Sequence, residues 1–535
     1  MKHFSYTLGS LLTAFIALGQ ASQTPTTGSS AAVVKINDAW FPPETEFREV
    51  VLDQDQIVDG QPTDTIIDPM ELAVAKDGRV FWAERKGIVK MWSPATKSTA
   101  VIGRIPVFDG LEEGMLGITL DPNFLKNGWI YLNHSLLETF NDGQGKAGKI
   151  RVSRYTLAGE QLDLTSEKTV IEMQVQREQC CHVGGSLAFD AKGNLYISIG
   201  DNTNPFDSDG YSPNDPRPGR YPWDAQRSAA NANSMAGKIL RVKPKADGGY
   251  EIPAGNLFKP GTPGTRPEVY VMGNRNPFRI AVDQKTGFLY WGEVGPDAGN
   301  PDEKRGAAGH DEINQARGPG FFGWPYFVGD NKPYAPVDYI ARQKHHDAVA
   351  AREQAKKAGK PESEWPAKPE PWMAPDFKPS FYDPAHPVNN SPNNTGIHDL
   401  PPAQPAFIWY PPSPSSRFPV VGSGGRTAMA GPVYYFDPKL KSEHKLPKEF
   451  DHTLFIYEWS RNWIIAVKLD AQDRIAKDAN GKLQMARFMP HTLIQRPMDI
   501  ELGPDGCLYV IEYGKEWGNN KDTKILRLEY SGPQN

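Results

Sequence analysis

The sequence predicts an all-β protein folded as a six-bladed β-propeller with long inserted loops. Two observations carry this prediction. A turn followed by a short strand of aromatic and β-branched residues recurs six times along the chain. No helix-length periodicity separates these six units, so a radial array of similar sheets is favoured.

Each of the six units has a turn pair such as Asp-Gly before alternating apolar residues, which is a hairpin signature. They read KDGRVFWAER, KNGWIYLNH, AKGNLYISIGD, KTGFLYWGEVG, FDHTLFIYEWS and PDGCLYVIEYG. Partner strands with a basic and apolar pattern follow, as in GKILRVKP, IIAVKLD and KILRLEY. We therefore expect one propeller domain over residues 33–530. Two stacked sandwiches are the alternative, but they would not repeat one strand type so evenly.

Two segments interrupt this rhythm. Residues 202–236 are rich in Asn, Asp, Pro and Arg, which predicts a long ordered loop over one face. Residues 339–404, approximately, hold a charged helical piece and then a proline-rich run. This insertion is predicted to be either a lid over the central face or a solvated ornament.

The N-terminus predicts export. One lysine precedes an apolar run from Leu8 to Leu18, and small residues precede a cut after Ala21, as in a secretory signal peptide over residues 1–21. The run is too short to span a bilayer, which takes about 20 apolar residues. Residues 22–32 predict a flexible segment, and no later segment predicts a membrane span. We expect a soluble periplasmic or secreted protein.

Composition narrows the function further. Of 535 residues, 39% are hydrophobic and 11% aromatic, which supports a packed core. The net charge of −5 gives no electrostatic footprint for nucleic acid. Of three cysteines, Cys507 lies within a predicted strand as a core thiol. Cys180 and Cys181 form either a vicinal disulfide or a pair of small buried thiols.

His182 is the first candidate catalytic residue. It follows the two adjacent cysteines and precedes Gly184 and Gly185, which keep side chains from crowding it. The next strand returns the chain to Asp201, whose carboxylate would orient the imidazole. A base with an orienting carboxylate is the general arrangement for abstracting a proton.

The following segments suggest a polar ligand and a cation. Arg275 and Asn276 precede a strand in GNRNPFRIAV, and arginine polarises carbonyls or clamps carboxylates. GEVGPDAG and then HDEINQARGPGFFGWP follow one strand later. A Gly-Pro turn with a carboxylate close behind offers oxygen ligands to a hard cation such as calcium.

In this order, the motifs resemble those of the soluble quinoprotein glucose/sorbosone dehydrogenase family. The resemblance covers most of the mature chain, from DGRVFWAERKG through EGMLGITLDPNF to RPMDIELGPDGCLYV, and is strongest over residues 274–325. It implies a six-bladed propeller that binds pyrroloquinoline quinone (PQQ) and calcium and oxidises sugars. It also implies that His182 is the base, Asp201 its orienter, and that Arg275 and Asn276 contact the quinone carbonyls.

The resemblance likewise implies a metal site and an anchor for the cofactor. The backbone carbonyls of Gly295 and Pro296 would hold calcium, with Asp311 supporting the site. Arg496, in RPMD, would pair with a cofactor carboxylate.

The chain departs from the family pattern at three positions near the cofactor. Glu112 stands where the glucose-oxidising members have a glutamine, Ser460 where they have a lysine, and Met498 where they have a second arginine. A tricarboxylate needs several cations, so tight PQQ binding requires compensation. Three arginines are candidates for it: Arg461, Arg417 and Arg426. We expect Glu112 and Arg461 among the cofactor-contacting residues.

The leading interpretation is an exported enzyme that oxidises a sugar or related alcohol by hydride transfer to PQQ, with His182 taking the hydroxyl proton. Electrons would pass to a separate acceptor, a cytochrome or a quinone, because the chain has no Cys-x-x-Cys-His haem attachment motif. The alternatives are a calcium-dependent propeller hydrolase, such as a lactonase, and a non-catalytic carbohydrate-binding propeller.

Overall fold

A computed structural model describes residues 40–518 and 520–533. Six mainly antiparallel sheets account for almost all of the described strands, which confirms the six-bladed propeller. The predicted signal peptide over residues 1–21 and the flexible segment over residues 22–32 lie outside the described residues.

The six sheets, numbered as blades 1 to 6 along the chain, each contain four main strands. Blade 1 comprises Pro69–Val74, Val80–Glu84, Ile88–Ser93 and Ser98–Arg104. Blade 2 comprises Met115–Leu120, Trp129–Ser135, Lys146–Ala158 and Gln161–Gln176, with the short Phe140–Asn141. Blade 3 comprises Leu187–Phe189, Leu195–Ile199, Lys238–Pro244 and Val269–Met272, with the short Tyr250–Glu251 and Gly320–Phe321.

The second half of the chain repeats this arrangement. Blade 4 comprises Pro277–Val282, Leu289–Glu293, Asp311–Ala316 and Ile408–Tyr410. Blade 5 comprises Ala428–Tyr434, Thr453–Glu458, Trp463–Lys468 and Met485–Phe488. Blade 6 comprises Pro497–Leu502, Leu508–Glu512, Lys524–Tyr530 and Phe47–Gln54. Two small hairpins pair Ile57–Val58 with Gln61–Pro62 and Phe327–Val328 with Lys332–Pro333.

Each of the six predicted strand units forms the second strand of its blade, with neighbours on both sides. In blades 1, 3, 4, 5 and 6 every residue of that strand is buried, which explains its aromatic and β-branched composition. Gly292 shows how closely the blades pack. A Cβ there would fall 2.1 Å from the carbonyl oxygen of Ala428 in blade 5, so only glycine fits.

Blade 6 takes its outer strand from the beginning of the described chain. Phe47–Gln54 pairs antiparallel with Lys524–Tyr530, so the two ends of the domain complete one sheet. This pairing closes the ring and leaves no blade incomplete, which protects edges that would otherwise be open for association.

Acidic side chains link the innermost strands of neighbouring blades. Glu71 accepts the amide N–H of Ile118 at 2.7 Å, and Asp499 accepts that of Leu72 at 2.7 Å. Arg279 lies among them, with its Nε 3.9 Å from Asp499 Oδ1. Burial raises the pKa of Glu71 to about 8. The axis of the propeller is therefore filled by a buried polar network.

The described helices are few, and all but one of them are short. They are the α-helices Phe124–Asn127 and Tyr339–Lys357, and the 3₁₀ turns Glu44–Glu46, Tyr221–Trp223, Ala225–Arg227, Glu362–Glu364, Pro419–Val421 and Lys448–Phe450. Across residues 40–518 and 520–533, no helix combines the length and apolar character that crossing a bilayer requires.

The insertion is anchored to the long loop over residues 202–236. The helix Tyr339–Lys357 begins with Asp338, whose side chain accepts two of its first amides. Arg342 Nη2 lies 2.6 Å from Asp209 Oδ1, and Arg342 is 3% exposed. Ala298 N donates to Gly210 O at 2.8 Å, so the same loop is joined to blade 4. At this end the insertion is therefore docked rather than loosely attached, whereas most of the rest of the helix is exposed.

Candidate active site

His182 and Asp201 form a direct hydrogen-bonded pair. His182 precedes the first strand of blade 3, and Asp201 follows the second strand by two residues. The Nδ1 atom of His182 lies 2.7 Å from Asp201 Oδ1. With Nδ1 bonded to a carboxylate, the proton is assigned to Nδ1 and the lone pair to Nε2. Nε2 makes no hydrogen bond within residues 40–518 and 520–533, so it is available to a ligand.

Glycines around the pair allow two backbone segments to touch. His182 has a φ of 64°, and a Cβ on Gly200 would fall 2.4 Å from its carbonyl carbon. Gly184 has a φ of 62° and also approaches the backbone of Gly200. The Gly-Gly and Gly-Asp pairs in the sequence are therefore explained by the close approach that brings the imidazole to the carboxylate.

Trp324 fixes the second oxygen of Asp201. Its indole Nε1 donates to Asp201 Oδ2 at 2.7 Å, while Thr203 N donates to Oδ1 at 3.0 Å. Asp201 has no solvent-exposed surface, so this carboxylate depends on its hydrogen bonds for stabilisation. Trp324 belongs to the Gly-Trp-Pro motif, and its contact with Asp201 was not predicted from the sequence.

The turn that precedes His182 is held by a disulfide bond and by a hydrogen bond. Cys180 and Cys181 are joined by a disulfide, so the first of the two predicted alternatives is the one observed. Cys507 is free and buried, as expected. Glu112 Oε2 accepts the amide N–H of His182 at 2.7 Å. Glu112, expected to contact the cofactor, thus holds the backbone of the histidine.

Arg275 and Asn276 lie beside this turn. The carbonyl of Arg275 accepts the N–H of Asp201 at 2.7 Å, and Asn276 Oδ1 accepts that of Gly184 at 3.0 Å. The amides of both residues donate to Glu293 Oε1 at 2.5 Å. Burial raises the pKa of Glu293 well above its usual value. Glu293 thus positions the backbone of Arg275 and Asn276. The sequence analysis did not predict this role, although the second strands of blades 1, 5 and 6 end in glutamate as well.

The guanidinium of Arg275 has a buried donor without a hydrogen-bond partner among the described residues. Nη1 donates to Val294 O at 3.0 Å, and Nη2 lies 3.9 Å from Asp297 Oδ2. Nε is buried and has no hydrogen-bond partner in the part of the chain described. A buried unpaired donor is unfavourable unless a ligand satisfies it. This observation fits a carbonyl or carboxylate ligand such as the predicted quinone.

The three expected calcium ligands lie together, but an arginine contacts two of them. Asp311 Oδ1 accepts the N–H of Gly295 at 3.0 Å. Arg426 Nη2 donates to Pro296 O at 2.7 Å, and its Nη1 lies 3.5 Å from Asp311 Oδ1. Within the described residues no group of three or more His, Cys, Asp or Glu side chains could hold a metal ion. As arranged, this donor set does not fit calcium.

The other two predicted cofactor cations have different environments. Arg461 donates to five backbone carbonyls, including Gly425 O at 2.6 Å and Pro411 O at 3.0 Å, so its guanidinium is fully engaged. The guanidinium of Arg496 instead lies 4.4 Å from the ring centroid of Trp459. Arg496 therefore remains available to an anionic ligand, whereas Arg461 holds a loop.

Ser460 and Met498 stand where the family resemblance implies a lysine and an arginine. Neither side chain provides a positive charge. Ser460 Oγ is hydrogen-bonded to Thr427 Oγ1 at 2.8 Å, and Met498 is 1% exposed in the core. Trp459, which sequence reasoning did not select, contacts Tyr513 and Trp517 in a small aromatic cluster beside Arg496. Its indole offers a flat surface beside Arg496.

Comparisons with known proteins agree with this architecture. The family model described as Glucose / Sorbosone dehydrogenase matches residues 66–360. Aldose sugar dehydrogenase YliI of Escherichia coli is 28% identical over 54% of this chain, and the match spans 63% of that relative's length. Quinoprotein glucose dehydrogenase B of Acinetobacter calcoaceticus is 25% identical, over 83% of this chain and 82% of that relative. The solved apo-form of the soluble aldose sugar dehydrogenase of Escherichia coli superposes with a TM-score of 0.54, at 20% identity, over 90% of this chain and 99% of that one.

Proposed function

Because the chain belongs to the glucose/sorbosone dehydrogenase family, we propose that it oxidises a sugar or a related alcohol, with PQQ as hydride acceptor. The observation that carries this proposal is the free Nε2 of His182, held opposite the Asp201 carboxylate and close to Arg275. The names of the Escherichia coli and Acinetobacter relatives, a sugar dehydrogenase and a quinoprotein, support the same substrate class and cofactor.

His182 acts as the general base in this proposal. Nε2 takes the proton of the substrate hydroxyl, and the imidazole becomes positively charged. Asp201 then stabilises that charge through the 2.7 Å hydrogen bond to Nδ1 and keeps the ring in the productive tautomer. Trp324 holds the carboxylate in place through its other oxygen.

When bound, PQQ supplies an ortho-quinone that accepts a hydride from the carbon bearing the hydroxyl group. The residues that would hold it are Arg275, with its unpaired Nε, the side-chain amide of Asn276, and Arg496 beside Trp459. The Arg275 guanidinium would favour negative charge on a ligand held there. No step is assigned to calcium, because Arg426 contacts two of its expected ligands.

We further propose that the protein acts outside the cytoplasm. The support is the sequence of residues 1–21, which has the charge, apolar run and small residues of a signal peptide. Electrons then leave for a separate cytochrome or quinone, since the sequence contains no haem attachment motif.

Reconstitution tests this function. Purified protein is incubated with PQQ, and reduction of an artificial dye is followed after adding a panel of aldoses and simple alcohols. We expect dye reduction only when both PQQ and a sugar or alcohol are present. Lactone hydrolysis by PQQ-free protein, with no dye reduction, would assign the same His–Asp pair to water activation instead.

A further inference from the structure

We propose that Arg426 supplies the positive charge at the position the family resemblance gives to calcium, so that PQQ binding by this chain is independent of divalent metal. The inference rests on the proposed function for its cofactor. The position of Arg426, however, is a property of the chain itself and is tested below without PQQ.

The contacts of Arg426 place its charge among the expected metal ligands. Nη2 lies 2.7 Å from Pro296 O, and Nη1 lies 3.5 Å from Asp311 Oδ1. The Arg426 side chain is 8% exposed, and Asp311 is completely buried. A guanidinium keeps its charge at any ordinary pH and directs several donors at once to oxygen acceptors. It therefore meets the electrostatic need that a cation would otherwise meet.

The oxygen atoms around Arg426 have little capacity left for an ion. Asp311 Oδ1 already accepts from Gly295 N, and Oδ2 accepts from Ala428 N at 2.8 Å. Pro296 O is enclosed on another side by Gly309, where a Cβ would fall 1.6 Å from that oxygen. Calcium needs about six to eight oxygen ligands at roughly 2.3–2.6 Å. An ion would have to displace the Arg426 guanidinium to bind here.

The loop that carries Arg426 is itself held in place. Arg461 donates to the carbonyl of Gly425, immediately before Arg426, at 2.6 Å. The amides of Thr427 and Arg461 both donate to the Glu458 carboxylate. Arg461 follows Ser460, the position at which the family resemblance implies a lysine. Arg461 thus holds the backbone from which the Arg426 side chain extends. Arg426 is therefore pre-positioned, which reduces the entropy lost when it meets a ligand.

The first experiment titrates calcium into metal-free protein, without PQQ, and follows thermal unfolding and heat release. We expect no change in the melting temperature of wild-type protein. Arg426→Ala, which exposes the Pro296 and Asp311 oxygens, is expected to gain calcium binding and a higher melting temperature with calcium. Arg474→Ala, which removes an exposed arginine of blade 5, serves as the matched control and should behave like wild type. Stoichiometric calcium binding by the wild type would overturn the proposal.

The second experiment measures PQQ affinity from quenching of tryptophan fluorescence, with either calcium or a chelator present. We expect one affinity in both conditions for wild type, and an affinity weakened at least about tenfold in Arg426→Ala without metal, as for loss of a charge-assisted contact. Should Arg426→Ala unfold, Arg426→Gln replaces it in both experiments. Wild-type affinity that requires calcium, or an Arg426 variant that keeps wild-type affinity, contradicts the inference. If wild-type protein binds no PQQ in any condition, the proposed function fails, and the calcium titration alone decides the role of Arg426.

Discussion

The Nδ1 atom of His182 lies 2.7 Å from Asp201 Oδ1, and Asp201 Oδ2 lies 2.7 Å from the indole nitrogen of Trp324. The three side chains form one hydrogen-bonded row that ends at the free Nε2 of the imidazole. Trp324 orients the carboxylate and the carboxylate orients the ring, which leaves Nε2 without a hydrogen-bond partner among the described residues. Replacing each side chain separately distinguishes a role in catalysis from a role in positioning.

Replacing His182 with Ala or Asn should abolish most of the activity while leaving the fold intact. A positioned general base contributes about 10²–10⁴-fold, so the loss should appear in kcat. The measurement is stopped-flow reduction of PQQ-loaded enzyme by sugar, with circular dichroism to verify folding. His386→Ala, at an exposed site in the insertion, is the control. Undiminished quinone reduction in His182→Ala would remove the histidine from the mechanism.

Asp201→Asn should reduce kcat less than His182→Ala, because the imidazole remains but loses its orienting charge. Trp324→Phe should have a smaller effect still, because the carboxylate keeps its charge but loses the indole N–H that holds Oδ2. We therefore expect kcat to fall in Trp324→Phe while KM stays unchanged in steady-state kinetics. A purely structural tryptophan would lower stability and leave the kcat of the folded protein unchanged.

The disulfide between Cys180 and Cys181 should support the position of His182, because it directly precedes the histidine in the chain. Mild reduction of wild-type protein by a thiol should lower kcat modestly, as a weak version of the His182 defect. The same treatment should not affect the Cys180→Ala/Cys181→Ala protein. Equal loss in both proteins would show that the thiol acts elsewhere.

Arg496 and Arg461 should respond differently to replacement by alanine. Among the described residues no acceptor contacts the Arg496 guanidinium, which lies beside Trp459, so Arg496→Ala should weaken PQQ binding by about tenfold or more. Arg461 donates to five backbone carbonyls, so Arg461→Ala should lower the melting temperature by several degrees. Fluorescence titration and thermal unfolding of both variants test this division. The reverse pattern would return Arg461 to the cofactor.

Glu84 should make stability depend on pH. Burial raises the pKa of Glu84 from 4.5 to about 7, despite Lys90 at 2.8 Å. Because the folded-state pKa is the higher one, this contribution is complete below pH 4.5 and is lost as the pH rises to about 7. Linkage limits it to roughly 3–4 kcal/mol.

Glu84→Gln tests this assignment. Its amide oxygen can keep the contacts that Glu84 Oε1 makes with Lys90 and Trp82. The variant should lose less stability than wild type between acid and neutral pH in urea unfolding. Parallel curves for the two proteins would show that Glu84 does not titrate in this range.

The sequence by itself determined the architecture and the chemical core of the site. The six repeated units are the second strands of the six blades, because a strand buried on both faces requires mainly apolar side chains. The order of the motifs identified the family. The spacing around His182 predicted its pairing with Asp201, because one hairpin connects the two residues and local geometry is sufficient.

Only the tertiary structure determines which arginine side chain contacts which backbone or carboxylate oxygen. Arg426 and Pro296 lie 130 residues apart, and only the packing of blade 5 against blade 4 brings the guanidinium to that carbonyl. The same holds for Trp324 at Asp201 and for Phe47–Gln54 at the edge of blade 6. A long charged side chain can reach many partners, and its local sequence does not select among them. The choice is made by the backbone carbonyls and carboxylates that the fold assembles around it.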